Sequence, residues 1–111
     1  MATARIKPEQ GRAAIDNGDL ATATRYLLQV LASEHPGHTI EVRVPPFGAV
    51  QIGEGLTHRR GTPPNVVQLD AETWLALATG SLTWDDALAG ARVRASGTRA
   101  DLSTYLPLRE W

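Results

Sequence analysis

The sequence contains no cysteine, one methionine and one phenylalanine in 111 residues. Without cysteine there is no disulfide framework, no thiolate nucleophile and no zinc–thiolate site. A reducing cytoplasm is the compartment this absence fits. No apolar run approaches the roughly 20 residues of a membrane span, and the N-terminal MATARIKPEQ has no apolar signal core. Integral membrane association is therefore not expected. Excess charge is missing too: 11 Lys and Arg against 12 Asp and Glu leave a net charge of −1. Such a chain has no electrostatic footprint for nucleic acid or an anionic membrane surface, and neither is expected as a partner. The length makes residues 1–111 one domain, with residues 1–6 loose. A chain of this size buries roughly two thirds of its unfolded surface, enough for one core but not two.

What is present is concentrated in residues 66–97, VVQLDAETWLALATGSLTWDDALAGARVRASG. Val66, Val67 and Leu69 form a short apolar run. Asp70 follows as an N-cap, because its carboxylate can accept a bond from the first turn of the next helix. Ala71, Trp74, Leu75 and Ala78 recur at helical spacing on one face. Gly80 stops that helix, since glycine takes the left-handed conformation without a Cβ clash. Thr83, with Asp86 three residues on, opens a second helix as a variant capping box. Trp84, Ala87 and Leu88 give this helix its apolar face, and Gly90 ends it. Val93 and Ala95 alternate with Arg92 and Arg94 in a strand over 91–96.

The rest of the chain is punctuated as clearly. Pro8 suits the first turn of a short helix that stops at Asn17-Gly18. Asp19 caps a longer helix over 20–33, with Leu20, Ala23, Leu27 and Leu31 on one stripe. Pro36-Gly37 ends it. Ile40, Val42 and Val44 then alternate with Glu41 and Arg43 in a half-buried strand. Pro45-Pro46 mark a bend, residues 47–52 form a second strand, and 56–60 read as a third, polar one. Thr98 with Asp101, followed by Leu102, Tyr105 and Leu106, predicts a last helix closed by Pro107. From the longer helix onward, the order helix, four strands, two helices, strand, helix describes an α+β domain whose sheet is covered on one face.

Catalytic patterns are scarce. His35 and His38 flank a turn, and His58 lies far from any Asp or Ser at triad spacing. Ser81, Ser96 and Ser103 sit at element junctions without a nucleophile elbow. Gly53-Glu54-Gly55 lacks the remainder of a dinucleotide fingerprint. Asp85 and Asp86 are adjacent on a helix, so their carboxylates diverge. No metal-ligand spacing appears. No enzyme activity, cofactor or metal is expected.

Three strings occur together and in order: VPPFGAVQ at 44–51, HRRGTPPNVV at 58–67, and DAETWLALATGSLTWDDALAGARVRASG at 70–97. They resemble the sterol carrier protein 2 superfamily, and within it the small bacterial sterol-carrier-like proteins. The resemblance covers about residues 20–108. It implies a five-stranded, mainly antiparallel sheet with helices over one face and an apolar tunnel between the two layers. It also implies a protein that binds or transports sterols, fatty acyl chains or other lipids without catalysis. A related domain stands at the C-terminus of bacterial thiol-dependent isomerases. This makes an accessory or protein-interaction domain with a filled core the alternative.

Two groups of residues are candidates for such a site. Leu27, Leu31, Trp74, Leu77, Trp84, Leu88, Leu102, Tyr105 and Leu106 can form an apolar wall, either lining a tunnel or packing on one another as core. The single Met and single Phe fit a tunnel poorly, because lipid cavities favour such adaptable side chains. His58, Arg59, Arg60 and Asn65 form a candidate polar mouth. Adjacent strand residues point to opposite faces, so one arginine can face inward to hold a carboxylate or phosphate head group. The same arginine can equally pair with Glu41, Glu54 or Asp70.

Overall fold

The computed structural model of the chain describes residues 5–55 and 64–111. Helix α1 (Pro8–Asn17) begins with proline in its first turn and closes on Gly18, whose φ of 75° is left-handed. Helix α2 (Leu20–Glu34) starts at Asp19, whose carboxylate accepts from the Thr22 N–H at 3.2 Å. Its inward stripe is Ala23, Thr24, Tyr26, Leu27, Leu28 and Leu31, all buried. Helix α1 lies so close to α2 that a Cβ on Gly11 would meet the Tyr26 ring at 2.1 Å. Only a residue without a side chain permits that approach.

Four strands follow: β1 (Ile40–Val44), β2 (Gly48–Ile52), β3 (Asn65–Leu69) and β4 (Val93–Ser96). They lie in the order β2-β1-β3-β4. β1 and β2 form an antiparallel hairpin across Pro45-Pro46, with Ile40 opposite Ile52 and Val42 opposite Val50. β3 runs parallel to β1, with Val42 beside Val67, and β4 returns antiparallel to β3. The α+β class is as expected, but the sheet departs from the expected five mainly antiparallel strands. Among the described residues it has four strands and is mixed, with a parallel pair at its centre. Alternation reports which residues share a face, and it carries no information about which strand lies alongside or in which direction. The strand expected at 56–60 lies outside the described residues.

Ile40, Val42, Val44, Val67 and Leu69 are buried on one face of the sheet, while Glu41, Arg43, Val66 and Gln68 on the other are half-buried. On the buried side α2 packs against β2, and α3 (Ala71–Thr79) packs against α2. Asp70 caps α3 through the Thr73 N–H at 2.7 Å, and Gly80 closes it at φ 92°. Helix α4 (Trp84–Ala89) opens on Thr83, whose hydroxyl accepts from the Asp86 N–H at 3.1 Å. Gly90 ends α4 at φ −85°, and the left-handed residue is the next one, Ala91, at 56°.

The expected C-terminal helix is absent. Arg99 N–H donates to Asn65 Oδ1 at 2.9 Å, and the Asp101 carboxylate accepts from Ser103 N–H two residues on. Asp101 thus closes a local turn, a bond that competes with helix formation. What survives is one turn, with Tyr105 and Leu106 N–H both reaching Leu102 O. A helix this short needs a cap and packing to persist, as α4 has, and here the Asp101 carboxylate serves the turn instead. The tail instead crosses the helices, tied by Leu108 N–H to Ala78 O and by Arg12 Nε to Trp111 O.

These caps imply a pH dependence. The backbone N–H of Thr73, opposed by partial desolvation, holds the Asp70 carboxyl below its ordinary range. The Thr22 hydroxyl and N–H do the same for Asp19, and those of Ser103 for Asp101. A carboxyl lowered in the fold contributes stability that is complete above its unfolded value and disappears as pH falls through its folded value. Thermal midpoints should therefore be flat from neutral pH to about 5 and fall below about 4. Asp70→Ala should cost about 1 kcal/mol at neutral pH and shrink that acid dependence. An acid limb of unchanged size in Asp70→Ala would remove Asp70 from this account.

Candidate functional site

Six of the nine wall residues are buried in a single core cluster: Leu27 and Leu31 from α2, Trp74 and Leu77 from α3, Trp84 from α4, and Leu102 from the tail. Trp74 is fully buried, and its indole N–H donates to Thr24 O on α2 at 3.3 Å. That bond and the surrounding aliphatic side chains place Trp74 as a strut between α3 and α2. Leu88 does not belong to the wall. It is 44% exposed, because α4 is short and turns only Trp84 and Ala87 inward. Tyr105 is half-buried and packs edge-on against His35, ring centroids 4.9 Å apart. Leu106 is half-buried beside Pro107, Leu77, Leu82 and Trp84, where the wall opens into a cleft of about 220 Å³.

Of the polar mouth, His58, Arg59 and Arg60 lie outside the described residues. Asn65 is 5% exposed, and both ends of its amide are engaged. Nδ2 donates to Thr39 O and Oδ1 accepts from Arg99 N–H, each at 2.9 Å. Asn65 therefore joins the start of β1 to the turn after β4, and its amide has no end turned toward a ligand.

The larger hollow lies elsewhere, between the N-terminal segment, α2 and the β1–β2 hairpin, and measures about 610 Å³. Ile6, Leu28, Phe47 and Val50 give it an apolar lining. Thr22, Gln10 and Gln29 add polar groups, and Arg5 and Arg25 bring two guanidinium groups. The N-terminal wall is held in place by Gln29, whose amide exchanges two 2.9 Å bonds with the backbone of Ile6. Arg5 reaches Ser33 Oγ at 3.2 Å, whereas Arg25 makes no ion pair among the described residues. Gly48 sits on the floor. A Cβ there would meet Leu28 and Arg25 at 3.6 and 3.7 Å, ordinary contact distances. The groove owes its depth at this point to a missing side chain.

Residues 16–108 match the protein family described as bacterial SCP ortholog. The chain belongs to this family. No curated protein matches it. The matched span runs from the end of α1 to Leu108. It takes in the α2 and hairpin sides of the groove and leaves out Arg5, Ile6 and Gln10. The family match thus establishes a sterol-carrier-like domain on an α+β fold.

Sequence reasoning passed over the groove because its lining comes from three separate stretches, residues 5–10, 22–29 and 47–50. One signal was available. Arg25 stands between the buried positions Thr24 and Tyr26 on an otherwise apolar part of α2, and the only phenylalanine falls at the hairpin facing it. Among the described residues no helix is long and apolar enough to cross a membrane.

Proposed function

We propose that this domain is a non-catalytic carrier of an amphipathic lipid, held in the groove between α2 and the β1–β2 hairpin. The observation that carries the reading is the groove itself, about 610 Å³ with an apolar lining and two guanidinium groups. That volume lies within the roughly 300–1,000 Å³ of small-molecule sites. The cleft beside Trp84 and Leu106, at about 220 Å³, falls short of it. An acyl chain or sterol-like body would lie on Ile6, Leu28, Phe47 and Val50, with its polar end toward Arg25. Family membership supports the same reading.

Gly48→Val tests it. The branched side chain suits a strand and grows into the groove beside Leu28 and Arg25. Binding of a fluorescent fatty acid should weaken about tenfold or more, a loss of about 1.4 kcal/mol, while the thermal midpoint stays near wild type. Extraction of the purified protein followed by mass spectrometry should recover lipid from wild type and less from Gly48→Val. If wild type yields no lipid and takes up no fatty acid, the carrier reading fails.

The second reading is an accessory or interaction domain with a filled core. The full burial of Leu27, Leu31, Trp74 and Leu102 favours it, since these residues pack as core. On that reading wild type and Gly48→Val behave alike toward lipid.

A further inference from the structure

Strand β4 ends the sheet, bonded to β3 and to no other described strand. Its burial is unusual for a strand in a domain with helices over one sheet face. Val93 is half-buried against the core, while Arg94, Ala95 and Ser96 are exposed, so beyond Val93 the described residues leave both faces of the strand open. Among the described residues, no backbone group of 93–96 bonds outside the β3–β4 ladder. An edge in this state presents a row of unpaired donors and acceptors to any extended chain.

The surface beside this edge is concave and cationic. Two hollows of about 360 and 490 Å³ adjoin there and share Gln68, Val93 and Arg94. The register sets Arg43, Gln68 and Arg94 in one row across the open face of the sheet. Arg43 is paired with Glu41, but Arg94 has no ion-pair partner among the described residues. Arg92 lines the same hollow beside Asp70, the carboxylate there among the described residues, which caps α3 and partly balances the Arg92 charge; Arg94 is the guanidinium left over.

We propose that β4 is a docking strand for an extended acidic segment of a protein partner. The segment adds to the sheet along the outer edge of β4. Backbone bonds supply the pairing, and acidic side chains on the open face meet Arg92 and Arg94. A second copy of this chain is a poorer occupant. Antiparallel pairing centred on Arg94 would bring the arginines of the two copies together, and like charges facing across strands repel.

A fluorescein-labelled ten-residue peptide of alternating glutamate and valine, titrated against the full chain at low salt, tests this. Anisotropy should show saturable binding that weakens about tenfold at physiological salt. Arg94→Glu should weaken it about tenfold or more with an unchanged thermal midpoint, and Arg109→Glu, at an exposed tail position, should leave it alone. The same peptide methylated on alternate backbone nitrogens should not bind, which separates strand addition from charge attraction. Absence of saturation up to about 1 mM peptide, equal binding of the methylated peptide, or indifference to Arg94→Glu would each overturn the proposal. So would a dimer in sedimentation that Ala95→Pro abolishes, because a second copy would then occupy the edge.

Discussion

Trp74→Ala is expected to cost about 3–5 kcal/mol of folding free energy. The indole is fully buried among aliphatic side chains of the core, and it also hydrogen-bonds Thr24 O on the neighbouring helix. Truncation removes the largest fully buried side chain and leaves a cavity that fixed helices cannot collapse into. Small domains have only about 5–15 kcal/mol to lose, so urea denaturation should show a large drop in midpoint with little change in slope. Trp74→Phe should fall between the two, keeping most of the apolar area while losing the bond to Thr24. A side chain lining an open tunnel behaves differently, since its removal costs little stability and changes ligand uptake. A measured loss below about 1.5 kcal/mol for Trp74→Ala, smaller than that of typical buried Leu→Ala changes, would sink the description of Trp74 as core.

Asn65→Ala should cost about 2–4 kcal/mol, for a different reason. The side chain fills little volume, but its amide satisfies two backbone groups at once, Thr39 O and Arg99 N–H. Each group left without a partner in a buried place costs about 1–3 kcal/mol, the lower end applying to Arg99, which is nearer solvent. The turn beyond it is built around this amide. Gly97 adopts φ 111°, and a Cβ there would lie 2.5 Å from Asn65 Oδ1. Asn65→Asp keeps the acceptor for Arg99 but sets an oxygen against Thr39 O, so at neutral pH it should be no better than alanine. Chemical denaturation of both variants measures the effect. If Asn65 instead held a lipid head group, the substitutions would alter fatty-acid affinity and leave the denaturation midpoint in place.

These two residues show where reading along the chain succeeds and where it stops. Trp74 was legible as an inward position because helical periodicity is a local property, and its neighbours confirm the period. Asn65 was legible only as one polar residue of a candidate mouth. Its partners lie 26 and 34 residues away, and nothing within reach of a turn or a helix repeat announces them. Leu88 met the same limit from the other side. The pattern puts it with Trp84 on an apolar face, but α4 has only six residues and leaves Leu88 44% exposed.

What the sequence by itself determined are features closed within about four residues. The caps at Asp19, Asp70 and Thr83, the glycine stops at 18 and 80, and the alternation of Ile40, Val42 and Val44 all depend on neighbours along the chain. The tertiary structure alone decided that β3 runs parallel to β1, and that the Thr98–Asp101 pattern becomes a turn rather than a helix. It alone brought residues 5–10, 22–29 and 47–50 around one groove. Each of these outcomes pairs groups that are distant in sequence. Such pairing gains free energy only after the chain ends between them have been brought together, which local propensity neither supplies nor records.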